Sequence, residues 1–187
     1  FILPFGFLLS GSALLVSYLG QMNPQITPLM PVLVSPWLSI HVSLIMMSYA
    51  LLAFIMLNGI LALCLRKKES ENNVSGNDAI QDNRIEQLTL VSRLLLYPAT
   101  FFLGAGIFLG AVWANVSWGR YWAWDPKEVW ALITFLVYGV AFHSQSLRIF
   151  RKPLFFHIYM ILAFLTVLMT YFGVNYVLGG MHSYANA

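Results

Sequence analysis

Residues 38–68 of this chain read LSIHVSLIMMSYALLAFIMLNGILALCLRKK. The run has no Asp, Glu, Lys or Arg before Arg66, and it exceeds the roughly 20 apolar residues that a helix needs to cross a bilayer. The whole chain has the same character, because 59% of its 187 residues are hydrophobic and only 9% are charged. A soluble domain carries about 25% charged residues, so this composition excludes a soluble globule and indicates an integral membrane protein.

Five apolar stretches are long enough to form spanning helices, and they predict an all-α, polytopic transmembrane helical bundle. Their approximate limits are residues 1–19, 38–65, 94–113, 129–147 and 154–171. The third stretch contains Gly106 and Gly110, a GxxxG pair that we interpret as a structural contact between closely packed helices.

The predicted spans divide the chain into three parts. Residues 1–66 hold the first two spans, residues 67–93 form a polar linker, and residues 94–187 hold spans three to five and a C-terminal tail. The linker is rich in Asn, Ser, Glu, Asp and Gln, a composition typical of solvated, mobile segments. Because the chain opens at Phe1 without a basic n-region, we expect a piece of a longer polypeptide or a processed product, and not a signal peptide over residues 1–19.

The placement of Lys and Arg predicts which side of the membrane each connection faces. Eight of these ten residues follow span two or span four: Arg66, Lys67, Lys68, Arg84, Arg93, Arg148, Arg151 and Lys152. Cytoplasmic loops are enriched in Lys and Arg, so the linker is predicted to be cytoplasmic. Residues 20–37, 114–128 and 173–187 are then predicted to face outward.

The chain offers few reactive groups of its own. Its single cysteine, Cys64, cannot form an internal disulfide, a CxxC redox pair or a zinc cluster. The sequence shows neither a pair of catalytic carboxylates nor a nucleophile beside a base. The net charge of +3 does not indicate a nucleic-acid partner, whereas the composition does predict the lipid bilayer as one.

Most of the tryptophans lie in and beside one predicted outward loop. Residues 118–130 read WGRYWAWDPKEVW, and residues 113–130 contain five of the six tryptophans: Trp113, Trp118, Trp122, Trp124 and Trp130. Clustered indoles form a flat apolar surface suited to a large planar ligand at the bilayer edge. The alternative is an aromatic belt, but a belt spreads its aromatic residues over many helix ends.

Two of the four histidines lie at the same predicted membrane face as the tryptophans. His41 is at the outer start of span two, and His182 is in the outer tail. Two imidazoles on either side of a porphyrin give axial bis-histidine ligation, so we predict that this pair holds haem iron. The alternative is that each histidine is an ordinary solvated side chain.

The other two histidines are in predicted spans. His143 is about 14 residues inside span four, roughly 21 Å from its outer end, so it cannot bind the same iron. An ionisable residue at that depth is a functional candidate, and we expect its partner outside this chain. His157, one turn into span five, is interpreted as structural.

The residues that follow Trp124 have the pattern of a helix start. Asp125 is predicted to be the N-cap, Pro126 the first helical residue and Glu128 the third position of a capping box. Arg120 and Lys127 are the two predicted outward cations. Each is a candidate partner for anionic groups such as haem propionates, or a simple interfacial residue.

The run from Trp118 to Trp130 resembles the WWD signature of the haem-handling superfamily that includes the CcsA (ResC), CcmC and CcmF proteins. The setting of His41 in WLSIHVS, the helix with His143 and the ending FGVNYVLGGMHSY are similar to CcsA-type members in particular. The resemblance covers most of the chain from about Ser35 onward, outside the linker.

The resemblance implies a component of a two-part cytochrome c synthase (haem lyase) with haem b as cofactor. It implies that His41 and His182 hold haem at the outer face, where it is attached through thioethers to the CxxCH motif of apocytochrome c. His143 is implied as one ligand of an inner haem site. The other residues implied at the haem site are Trp113, Trp118, Trp122, Trp124, Asp125 and Arg120.

The partners that the resemblance implies are a CcsB subunit or fused domain, the apocytochrome and a thiol-reducing thioredoxin-like protein. The implied location is the bacterial cytoplasmic membrane with the haem site outward, or alternatively the plastid thylakoid membrane. Two other functions stay open from the sequence. One is a haem exporter or chaperone without attachment activity, and the other is a b-type electron-transfer cytochrome.

Overall fold

The computed structural model describes residues 6–7, 10–11, 36–72, 78–143 and 146–178. Four α-helices run through these ranges: α1 (Pro36–Asn72), α2 (Asp78–Trp118), α3 (Pro126–Val140) and α4 (Pro153–Leu168). Helix α4 continues as a π-helix over Met169–Leu178, and short 3-10 turns cover Ala141–His143 and Arg148–Arg151. The described residues contain no strand, so the predicted all-α class is confirmed.

Consecutive helices in the bundle run in opposite directions. Helices α1 and α2 are joined along their length, with Ser48 Oγ donating to the Ala99 carbonyl at 2.8 Å near the middle. Helices α3 and α4 are joined by Tyr159, whose hydroxyl donates to the Val137 carbonyl at 2.7 Å. Because the helices alternate in direction, their termini lie at two ends of the bundle. We call these the histidine end, around His41, and the arginine end, around Arg93.

Several of the basic residues that the sequence predicted on one side of the membrane lie at the arginine end. Arg93 Nη2 donates to the Phe150 carbonyl at 2.7 Å, and its guanidinium lies 5.2 Å from the centre of the Phe156 ring. Arg66 lines a second cavity with Pro153 at this end. The connections after α1 and after α3 therefore meet at the same end of the bundle, as the predicted topology requires.

The hydrophobic core lies between the helices at the level where all four α-helices meet. Its buried members include Leu52 from α1, Leu96 from α2, Tyr138 from α3 and Met160 from α4. Because each helix contributes apolar side chains to one contiguous cluster, the helices fix one another's positions. The site at the histidine end is thus supported by a common core.

The structure confirms three of the predicted spans by length and composition. They are Pro36–Arg66, Asp82–Trp118 and Pro153–Leu178. Helix α3 has 15 residues, about 22 Å, which is shorter than the roughly 30 Å of a bilayer core. The predicted span over residues 1–19 lies almost entirely outside the described residues, so the count of five spans is not confirmed.

Helices extend further into the predicted linker than its composition suggested. Helix α1 ends at Asn72 and α2 begins at Asp78, so the described backbone on both sides of residues 73–77 is helical. Most side chains of residues 82–87 are exposed. Polar composition predicts contact with solvent, but Glu, Gln, Lys and Arg are also good helix formers. Solvent exposure and helix are therefore compatible here.

Candidate functional site

A cavity at the histidine end lies among α1, α2, α3, the loop between α2 and α3 and the π-helical segment. Its volume is about 190 Å³. Aromatic and aliphatic side chains make most of the wall, and polar groups enter from several elements. The lining includes Leu38, His41, Tyr49, Gly110, Trp113, Tyr121, Trp122, Lys127, Glu128, Thr170 and Tyr171.

His41 is the histidine in the wall of this cavity. It lies five residues into α1 and is half-buried, and its Nδ1 is 2.7 Å from the Gly106 carbonyl oxygen of α2. A carbonyl oxygen can only accept, so Nδ1 carries the proton in this contact. In the neutral ring, Nε2 then carries the lone pair, which is the form in which imidazole coordinates a metal. The contact therefore sets His41 in a ligand-competent tautomer.

The tryptophans of the loop have different environments. Trp113 is 2% exposed and lines the cavity, with the Trp118 ring edge-on at 5.0 Å. Trp122 also lines the cavity, with Trp124 edge-on at 6.0 Å, but Trp124 itself is 73% exposed. The structure thus places Trp113 and Trp122 in the wall and Trp124 on the surface.

Two residues with positive φ shape the loop. Gly119 (φ 72°) ends α2, and its amide donates to the Asn115 carbonyl at 2.9 Å. Glycine is the usual residue for this left-handed position after a helix. Trp124 has φ 57°, which costs a non-glycine residue about 1–2 kcal/mol and occurs mainly where the surrounding structure enforces it. The reversal at Trp124 brings the chain directly into the cap of α3.

The predicted helix start at Asp125 is confirmed as a complete capping box. Asp125 Oδ2 accepts from the Lys127 amide at 3.2 Å, and Glu128 Oε2 accepts from the Asp125 amide at 3.2 Å. Glu128 Oε2 also accepts from the Ala123 amide at 2.8 Å. These bonds satisfy backbone donors of both the helix and the loop, so they fix the loop relative to α3.

The two predicted outward cations are separated by the structure. Lys127 lines the cavity, and its Nζ donates to Asn175 Oδ1 of the π-helical segment at 2.9 Å. Burial lowers the pKa of Lys127, and the nearby Asp125 carboxylate offsets part of that effect. Arg120 is exposed and is not part of the cavity wall. Of the two, Lys127 is the cation positioned to meet an anionic group in the cavity.

His143 and His157, the other histidines among the described residues, are not in the wall of this cavity. His143 is exposed at the far end of α3, with Nδ1 3.2 Å from the Gly139 carbonyl oxygen of its own helix. His157 is buried at the arginine end, where Nε2 is 2.9 Å from Thr89 Oγ1. This contact agrees with a structural role for His157. The predicted second outer ligand, His182, lies outside the described residues.

The fold and the cavity define a class: a helical integral membrane protein with an aromatic-lined cavity whose described wall includes the imidazole of His41. The chain belongs to the cytochrome C assembly protein family, whose sequence model matches residues 1–182. Protein NrfI of Wolinella succinogenes is 40% identical over 185 residues, covering 99% of this chain and 20% of NrfI.

Two further relatives are named cytochrome c biogenesis protein CcsA. The Chlamydomonas reinhardtii protein is 41% identical over 162 residues, covering 86% of this chain and 44% of the relative. The Guillardia theta protein is 36% identical over 182 residues, covering 89% of this chain and 60% of the relative. The chain therefore spans between one fifth and three fifths of the length of these relatives.

Proposed function

We propose that this protein takes part in cytochrome c maturation by holding haem b in the cavity at the histidine end and delivering it for covalent attachment to apocytochrome c. Family membership and the relatives named as cytochrome c biogenesis proteins support the process. The proposed site depends mainly on one observation: His41 lies in the wall of an indole-lined cavity, and its Nδ1 contacts the Gly106 carbonyl. The Lys and Arg distribution supports an outward-facing histidine end.

The residues of the cavity fit a haem by their chemistry. His41 would supply a nitrogen ligand for the iron, Trp113 and Trp122 would supply apolar contact, and Lys127 would supply a cation for a propionate. The cavity of about 190 Å³ is smaller than the roughly 300–1,000 Å³ of typical small-molecule sites. The described wall would thus enclose part of the ligand, and we propose that the chain after Leu178 contributes the remainder.

We propose His182 as the second axial ligand. The π-helical segment before it contributes Thr170 and Tyr171 to the cavity wall and is bonded to Lys127 through Asn175. These contacts support the proposal, because they place the last described segment before His182 against the cavity.

His143 belongs to a different proposed site. His143 is 12 residues beyond Ala131, an α3 residue of the cavity wall, which is about 18 Å along the helix, so it cannot share an iron atom with His41. We propose it as one ligand of an inner haem site whose second ligand comes from a CcsB subunit or domain. The exposure of His143 supports this role, since an exposed imidazole is accessible to a partner.

The residues of this chain contribute positioning rather than covalent chemistry. When bound, haem would supply two vinyl groups, and addition of a CxxCH thiol across each would need no oxidant, because sulfur would go to one carbon and hydrogen to the other. His41 and the indole wall hold the ligand in one orientation, and Lys127 neutralises a carboxylate, so reacting groups can meet at a high effective concentration. A thioredoxin-like partner would keep the substrate thiols reduced.

Co-expression with an apocytochrome tests the attachment function. We expect the complete membrane complex to give a c-type cytochrome whose haem survives denaturing electrophoresis. A matched apocytochrome with both CxxCH cysteines replaced by alanine should carry none. If haem is bound by the membrane protein but never becomes covalent on the intact CxxCH substrate, the exporter or chaperone alternative replaces the attachment function.

Lys127→Met tests the propionate contact. A hydrogen bond to a charged group contributes about 1.5–3 kcal/mol, so we expect haem affinity to fall about 10-fold or more. Haem titration monitored by absorbance measures the effect, with Arg120→Met as the control outside the cavity. The dimethyl ester of haem, which lacks propionate charge, should bind wild type and Lys127→Met alike. An equal loss in Arg120→Met, or a full Lys127 effect with the ester, would contradict the contact.

A further inference from the structure

The GxxxG pair of α2 lies directly beneath the side chains of α1 at the cavity. A Cβ built on Gly110 would lie 2.6 Å from His41 Cε1 and 2.8 Å from His41 Nδ1. A Cβ on Gly106 would lie 2.6 Å from Ile45 Cδ1, one turn further along α1. Real Cβ atoms essentially never approach so closely, so the imidazole occupies space that exists only because position 110 has no side chain.

The same two glycines make the hydrogen bond of His41 possible. A helix carbonyl is normally covered by the side chains around it, but the face of α2 between Gly106 and Gly110 is bare backbone. His41 Nδ1 reaches the Gly106 oxygen at 2.7 Å, a short distance for a nitrogen donor. The contact links residues 65 positions apart, so it depends on the register between α1 and α2.

A backbone acceptor at Nδ1 has a chemical consequence for Nε2. Histidines that bind metals usually donate their other ring N–H to a carbonyl or carboxylate, which fixes the tautomer and the ring orientation and raises the basicity of the ligand. The Gly106 carbonyl is such an acceptor. The position of this carbonyl relative to His41 is fixed, because α2 packs against α1.

We propose that Gly106 and Gly110 are positioning residues for the outer haem ligand: they form a glycine seat that holds the His41 imidazole as the Nδ1–H tautomer. The proposal rests on the proposed function, in which His41 binds iron. The GxxxG pair thus acts on the site as well as on helix packing.

The first experiment compares two glycines of the same helix. In Gly110→Ala, the new methyl group displaces the imidazole, so we expect haem content to fall several-fold and the midpoint potential of residual haem to shift. In the control, Gly104→Ala, the new methyl group meets only the Phe135 ring at 3.0 Å, and haem content should match wild type. Folded Gly110→Ala protein with wild-type haem content and potential would overturn the seat.

The second experiment needs no substitution in α2, so it remains decisive if Gly110→Ala fails to fold. The haem-free protein is labelled with ¹⁵N-histidine, and the His41 signals are assigned by difference from His41→Gln. We expect nitrogen shifts of the Nδ1–H tautomer. An Nε2–H tautomer would overturn the seat whether or not haem binds.

The tautomer measurement and a His41→Ala variant together separate the glycine seat from the ligand assignment. If His41→Ala keeps its haem, the ligand assignment fails, while the tautomer measurement still reports on the hydrogen bond. If His41→Ala loses haem but the tautomer is Nε2–H, the seat alone fails. A positioning role, unlike a packing role, is expected to move the midpoint potential.

Discussion

His41→Ala is expected to remove haem from the outer site, with a loss larger than the roughly 10–100-fold that follows when an outer-shell partner of a metal ligand is removed. The substitution deletes the imidazole in the cavity wall. It also leaves the Gly106 carbonyl with only its helical partner. Haem content per purified protein, measured by the pyridine haemochrome absorbance, gives the result directly.

Ser43→Ala is the matched control for this substitution. Ser43 lies on the same helix two residues away, is exposed, and its hydroxyl bonds only to the Ser39 carbonyl of its own helix. Haem content should match wild type in this variant. The ligand assignment is wrong if His41→Ala and Ser43→Ala retain the same amount of haem with the same spectrum.

Trp113→Ala is expected to lower the stability of the protein more than the same substitution at any other tryptophan of residues 113–130. Trp113 is 2% exposed, packs edge-on with Trp118 and lines the cavity, so its removal leaves a void. Truncation of a buried Trp to Ala costs about 3–5 kcal/mol. We therefore expect a clear fall in the thermal unfolding midpoint in detergent, together with weaker haem binding.

Trp124→Ala provides the contrast within the same motif. Trp124 is 73% exposed, so its truncation should change stability by less than about 0.5 kcal/mol. Comparing unfolding midpoints of the two variants tests whether the buried and exposed indoles have different roles. Equal destabilisation would show that the loop packs differently from the arrangement described for residues 113–124.

The local features of the site were predictable from sequence. Asp125, Pro126 and Glu128 form a capping box because the relevant hydrogen bonds connect residues within one turn. The long apolar runs predicted α1, α2 and α4, because length and composition alone decide whether a helix can span a bilayer. Helix α3 ends at Val140, earlier than the predicted span of residues 129–147, which included the polar residues 143–146.

The non-local features required the structure. Nothing in the sequence pairs His41 with Gly106, since this contact depends on how two long helices align. The GxxxG pair of Gly106 and Gly110 was interpreted only as a packing motif. A helix face of small residues can admit a neighbouring side chain such as a histidine, and this was the sequence feature that could have indicated the contact. Likewise, the sequence could not separate Lys127 from Arg120, because the path of the loop between α2 and α3 decides which side chain enters the cavity.

Tyr49 and Thr170 are polar cavity residues that the sequence did not single out. Each is embedded in an apolar run that serves a spanning helix, and nothing in its neighbours distinguishes it from an ordinary helix position. They enter the wall because α1 and the π-helical segment face each other at this depth. Their contribution follows from the packing of the bundle.

Electron paramagnetic resonance of the ferric protein, purified from membranes with its bound haem, tests the central claim that an imidazole pair including His41 holds the iron. We expect a low-spin signal with the g-values of bis-imidazole ligation, replaced in His41→Ala by a high-spin signal or by loss of haem. A wild-type low-spin spectrum that is unchanged in His41→Ala would contradict the claim.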